Sequence, residues 1–187
     1  VIASFLGISN ACIVLTSSLF VNDVILKSSE DLYFFVSIGF AIVALSGLLT
    51  QLFIVDKYSL DPKLLVFLGL SLMTLIFYLL SSVNDISSFY MLLAIFGFGG
   101  GLARPGNVSI LSLSINKNEQ GSASGLMGTV FPLGHLLTPF SIMPIYMINP
   151  SYPYLLISFL GLFLLLYMFY NQKVFFKFIK TGVREDV

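Results

Sequence analysis

Read for apolar and polar positions, the chain divides into six long apolar stretches separated by short polar ones. The stretches run from Ile2 to Leu26, Leu32 to Val55, Leu64 to Val83, Phe89 to Ile115, Gly121 to Met147 and Tyr152 to Tyr170. Each supplies the roughly 20 predominantly apolar residues that a helix rising about 1.5 Å per residue needs to cross hydrocarbon. The connections KSSED, DKYSLDPK, NDISS, NKNEQ and INPS are short enough to force neighbouring spans antiparallel. The pattern therefore predicts an all-α membrane protein, a single bundle of six transmembrane helices over 1–170 with a tail at 171–187.

Polar content is unequal and recurs in order. Span one carries Asn10, Thr16, Ser17, Ser18, Asn22 and Asp23; span two is milder, with Gly39, Ser46, Gly47, Thr50 and Gln51; span three is nearly featureless. Span four then holds Arg104 and Asn107, span five is rich in Gly, Ser and Pro with one His, and span six is featureless again. A polar, small, greasy order that repeats after three spans predicts two three-helix units, the second inverted, as in transporters built from inverted repeats. Coincidence among six spans is the alternative. The polar spans should face water or substrate, the small-residue spans should pack closely, and the greasy spans should face lipid.

Composition agrees with a lipid solvent. Of the 187 residues, 57% are hydrophobic and 10% charged, with a mean hydropathy of +0.98. A soluble domain carries roughly 25% charged residues. Net charge is zero, which gives no case for a nucleic-acid partner. With one cysteine, Cys12, no internal disulfide is expected; no Cys/His cluster suggests a metal, and no cofactor is expected. The chain opens on Val1 and is apolar at once, without a basic leader or small-residue cleavage site. That start is expected to be a truncation near the beginning of a membrane helix.

Charge in the loops predicts orientation. Lys57, Lys63, Lys117, Lys173, Lys177, Lys180 and Arg184 fall on one side, against Lys27 alone on the other. The positive-inside rule then puts both termini in the cytoplasm. The tail KVFFKFIKTGVR interleaves bases with aromatics, as a juxtamembrane anchor on anionic lipid would.

The stretch GFGGGLARPGN, Gly97 to Asn107, is the least lipid-like part of any span. Arg104 lies twelve residues before Asn116, so about 18 Å from that end of the helix. Either it binds an anionic group or pairs with a titrating carboxylate, or it caps backbone carbonyls loosened beside Pro105. Asn10, Asn107 and Gly100 are candidate cavity-lining positions, with interhelical hydrogen bonding the alternative for the asparagines. His135, the sole histidine, and Asp23 are candidates for proton coupling. The alternatives are a neutral hydrogen-bonding histidine and an aspartate solvated by the outer loop. Gly121, Gly125 and Gly128 are spaced for close helix packing, and Pro132, Pro139 and Pro144 can bend span five.

The segment ARPGNVSILSLSINKNEQGSASGLMGTVFPLGHLLTP resembles the tenth and eleventh helices of twelve-helix members of the major facilitator superfamily. The resemblance lies in Pro105-Gly106, Ser112-Leu113, Glu119-Gln120-Gly121, Ser124-Gly125-Leu126 and Gly134 with Pro139. It is closest to the bacterial drug–proton antiporter branch that includes tetracycline-type exporters. It extends over the whole chain as the C-terminal six-helix half. Asp56-Lys57 matches the charged pair of a cytoplasmic loop motif, although Leu52 and Ser59 stand where that motif has glycines.

The resemblance implies a secondary active transporter in a bacterial inner membrane, effecting proton-coupled efflux of a small molecule by alternating access. Its partners would be lipid, a missing N-terminal six-helix half, the substrate and protons. In that family the first and fourth helices of each half line the cavity, the second and fifth meet the other half, and the third and sixth face lipid. No enzyme chemistry is expected: no nucleophile–base pair, paired carboxylates or metal set stands out. The alternative is a non-transporting six-helix scaffold or ligand sensor.

Overall fold

In a medium without water every backbone donor and acceptor must be satisfied within its own segment, so long apolar stretches fold as helices. The computed structural model describes residues 1–26, 31–58, 60–115 and 120–171. Among them are six helices long and apolar enough to cross a membrane. They are α1 (Ile2–Phe20), α2 (Leu32–Thr50), α3 (Pro62–Leu80), α4 (Ile86–Ser114), α5 (Gln120–Ile148) and α6 (Tyr152–Tyr170). Wider π-helical turns prolong α1 over Val21–Leu26 and α2 over Gln51–Val55. The described residues contain no strand.

Capping chemistry shifts two starts relative to hydropathy. Asp61 accepts the Lys63 backbone N–H at 2.9 Å, and Pro62 occupies the first turn, where its missing N–H is no loss. α3 therefore begins two residues before the apolar run. Asp85 accepts the Ser88 N–H at 2.8 Å, so α4 begins at Ile86 rather than Phe89. Hydrogen bonds from that first turn hold the Asp85 carboxyl below the usual carboxylate range. Pro105 lies inside an unbroken α4, and Pro132, Pro139 and Pro144 inside an unbroken α5.

α4 packs on α3 and α2, α1 on α5, and α3 on α6. Exchanging the first three helices for the last three turns the α1–α5 pair into α4–α2 and leaves α3–α6 unchanged. Those pairings are the ones an inverted repeat requires. The symmetry is uneven, because α3–α4 is a broad contact and its counterpart α6–α1 a slight one.

The core gathers Phe20, Phe77, Phe89, Phe96 and Tyr154 with Leu70, Met73 and Ile76. Phe20 meets Tyr154 edge-on at 5.0 Å, and Phe77 meets Phe96 edge-on at 5.7 Å. Thr16 Oγ1 donates to the Cys12 carbonyl and lies 3.1 Å from the Tyr154 hydroxyl, tying α1 to α6.

α3 departs from the expectation that it faces lipid. Over its most apolar window 56% is buried, against 33% for α6. The reason is two-faced periodicity: Val66, Leu70, Met73, Phe77 and Leu80 enter the core, while Leu64, Phe67, Leu68, Leu75 and Tyr78 form an outer arc. Hydropathy alone does not separate those faces. The helices that bury least are α2, at 6%, and α5, at 18%. Lys27, Lys117 and the basic tail, on which the orientation rests, lie outside the described residues.

Candidate functional site

The GFGGGLARPGN stretch sits in α4 where four other helices converge, and its glycines divide the work. A Cβ on Gly97 would collide with the Val43 carbonyl of α2, and one on Gly101 would stand 2.7 Å from the Gly47 carbonyl. At Gly100 the one neighbour a Cβ would have within 4 Å among the described residues, its own helix backbone apart, is Arg104 Nε of the same helix, 4.0 Å away. Gly97 and Gly101 therefore let α2 approach, and Gly100 leaves space beside the guanidinium. The second crossing has the same design: a Cβ on Gly134 of α5 would stand 2.8 Å from the Gly7 carbonyl carbon of α1.

Close approach of α5 to α1 assembles a polar relay. Arg104 Nη2 donates to Asn10 Oδ1 at 2.6 Å, and Asn10 Nδ2 lies 3.3 Å from His135 Nε2. The guanidinium carbon stands 5.4 Å from the centre of the Phe131 ring, which itself lies 5.4 Å from the His135 ring. Three residues chosen separately from the sequence, on α1, α4 and α5, thus form one chain of contacts. Arg104 is ten residues from the Ser114 end of its 29-residue helix, about 15 Å along the axis. A charge at that depth is unfavourable by roughly 2.5–3.5 kcal/mol unless it faces water or a partner. Its side chain remains exposed in this chain, so the relay lines an open face.

The other candidates lie apart from the relay or beside it. Asn107 reaches Met127 Sδ of α5 at 3.7 Å, a weak interhelical contact below Arg104. Asp23 is thirteen residues beyond Asn10, in the π-helical end of α1, about 20 Å along the axis. There it accepts the Tyr146 hydroxyl at 2.9 Å and the Asn22 amide at 2.9 Å. Asp56 ends the π-helical turn of α2, and Lys57 lies 5.8 Å over its neighbour's ring, Tyr58.

The glycine series Gly121, Gly125 and Gly128 has no packing role within the described residues, since nothing lies within 4 Å of a Cβ at any of them. Their face of α5 points outward, and Gly134 makes the helix crossing instead. Phe131, Met127 and Tyr146 were not singled out from the sequence. Phe131 stands four residues before His135, on the same helical face, which is the signal that links it to the site. Among the described residues no group of three or more His, Cys, Asp or Glu could hold a metal ion.

A sequence profile of the Major Facilitator Superfamily matches residues 1–139, which span α1 to α4 and the relay's part of α5. The chain belongs to the Major Facilitator Superfamily. It is an integral membrane protein of a transporter family, with six membrane-length helices and no strand among the described residues. A comparison with curated proteins finds no significant match.

Proposed function

We propose that this superfamily member is a secondary active transporter in which Arg104, Asn10 and His135 line the substrate cavity and His135 couples movement to protons. The observation that carries the reading is the relay: a guanidinium and an imidazole joined through one amide, near the middle of three spans and open on one side. A purely structural arginine would be enclosed by carbonyls, whereas this one is exposed in the chain and its hydrogen bond among the described residues goes to the Asn10 amide. Alternating access would rock this bundle against a second six-helix unit. The weakly buried faces of α2 and α5, including the open Gly121, Gly125 and Gly128 stretch, are where that unit would sit. Asp56 and Lys57 would then serve in the loop that closes the cytoplasmic side.

Antiport-driven efflux rests on the residues that resemble the tetracycline-exporter-like branch, and placement in a bacterial inner membrane with cytoplasmic termini rests on that likeness and the loop lysines. The test is solute flux in proteoliposomes holding the full-length protein, with and without a pH gradient. Arg104→Gln is expected to cut gradient-driven flux at least about tenfold, a loss of about 1.4 kcal/mol or more of binding or barrier. Normal flux in both Arg104→Gln and Arg104→Lys would remove Arg104 from the mechanism. Ligand binding without flux under any gradient would turn the assignment to a sensor.

A further inference from the structure

The glycines of α4 differ in what their missing side chains make room for. A Cβ at Gly99 would stand 3.1 Å from the Gly69 carbonyl of α3, and one at Gly106 would stand 2.8 Å from the Pro62 carbonyl. These two admit α3, as Gly97 and Gly101 admit α2. Gly100 admits no other helix. Among the described residues a Cβ there would meet Arg104 Nε, at 4.0 Å, yet Gly100 is itself buried, so the space is a recess. The cause is local. Residues four apart lie one above the other on a helix, and a long side chain leans back over the preceding turn. Arg104 therefore lies along the bare backbone at Gly100.

The charge beside that recess has neutral company. Arg104 Nη2 donates to the Asn10 amide oxygen, and the guanidinium carbon stands 5.4 Å from the centre of the Phe131 ring. Neither partner is negative. Among the described residues no carboxylate pairs with Arg104: Asp23 lies about 20 Å further along α1, held by Tyr146 and Asn22, and Asp61 caps α3. A guanidinium in that setting favours an anionic group, with charge-assisted hydrogen bonds roughly twice as strong as neutral ones. Nε is the donor at the recess, so an anion bonded to it would lie against Gly100.

We infer that Arg104 binds an organic monoanion and that Gly100 sets how bulky a group this anion can carry. The head group engages the guanidinium at Nε, and the body uses the recess at Gly100 and the apolar ring of Phe131. A methyl group at position 100 would take up part of that recess without touching another helix. A branched side chain would fill it and stand against the guanidinium. Gly100 is thus a specificity-determining position, where Gly97, Gly99, Gly101 and Gly106 are packing positions.

The inference names a substrate class for the transporter reading and rests on that reading for the passage across the membrane alone. Anion binding and its size limit are properties of the site.

Benzenesulfonate and methanesulfonate serve as probes, since a sulfonate stays ionised at any working pH and the two differ in the bulk beside the head group. Benzenesulfonamide is the neutral counterpart. Each is titrated calorimetrically into the full-length protein in detergent. Wild type is expected to bind benzenesulfonate at least about tenfold tighter than benzenesulfonamide. Gly100→Val should weaken benzenesulfonate by about tenfold or more and change methanesulfonate by less than about threefold. If that variant does not fold, Gly100→Ala with the larger naphthalenesulfonate takes its place. Arg104→Gln should lose both sulfonates. Equal losses of the two sulfonates in Gly100→Val, no loss of either, no wild-type binding of either, or equal wild-type affinity for benzenesulfonamide would overturn the inference. Proteoliposome flux of benzenesulfonate that runs at the wild-type rate in Gly100→Val would overturn it while keeping the transporter. Size-selective sulfonate binding with no flux of any solute would do the reverse.

Discussion

Two helix crossings in this bundle are equivalent by the three-helix repeat and differ in what they hold. Where α2 crosses α4, Gly47, Gly97 and Gly101 bring backbone against backbone, and the hydrogen bond there runs from the Ser46 hydroxyl to the Ala94 carbonyl. Where α5 crosses α1, Gly7 and Gly134 do the same, yet the next turn carries Asn10 and His135 and is reached by Arg104 from α4. The first crossing is a structural joint. The second uses the same close approach to bring together side chains that would otherwise be out of reach. Glycine contact and chemistry are thus separable, and here the repeat spends one crossing on each.

The largest effect that tests this contrast is at the structural joint. Gly97→Val places a side chain into the Val43 backbone, which cannot rotate away, and should destabilise the protein by about 3 kcal/mol or more. Thermal unfolding of the detergent-solubilised protein reads it directly. Gly100→Ala, three residues on and with open space around it, should leave that transition unmoved. If both variants unfold alike, the division between joint and open face is wrong.

A second prediction alters the chemistry and spares the joint. Asn10→Asp sets a carboxylate beside the Arg104 guanidinium, an internal counter-ion where an incoming anion would otherwise bind. Solute flux through the reconstituted protein should therefore fall, by about tenfold for about 1.4 kcal/mol of added interaction. Unchanged flux would place Asn10 outside the transport site.

Smaller effects bound the comparison at its ends. Tyr146→Phe removes the hydroxyl that ties α5 to Asp23 on α1, a hydrogen bond to a charged group worth about 1.5–3 kcal/mol, most of it expressed in stability rather than in flux. Asp85→Ala, at the start of α4, should lower the unfolding temperature least. Its contribution has a pH sign: the folded carboxyl sits below its usual range, so the stabilisation is present above the unfolded pKa and fades as pH falls through the folded one. The difference between Asp85→Ala and the parent should therefore close in acid.

The apolar runs made the six spans legible because hydropathy and length are local properties. α3 and α4 start two and three residues before their apolar runs because Asp61 and Asp85 cap them, and a hydropathy window does not weigh a cap. Arg104, Asn10 and His135 could each be picked out as residues that lipid would not tolerate. Their mutual contact could not, since it depends on how closely Gly134 lets α5 approach α1. The burial of α3 was hidden for a related reason: both of its faces are greasy, and only the partner on one side distinguishes core from lipid. Gly121, Gly125 and Gly128 show the converse, a packing spacing with nothing among the described residues packed on it.

The prolines of α5 carry a further consequence, for the solvent of that helix. Pro132, Pro139 and Pro144 bring no N–H to the helical ladder, so the carbonyls of Gly128, His135 and Phe140, one turn earlier, are without their usual donors. In hydrocarbon each stranded acceptor is strongly unfavourable, while against water or another protein's donors it is not. Gly128 and Phe140 are both on the uncovered side of α5. Oiliness notwithstanding, this flank therefore suits water or another protein's donors better than lipid.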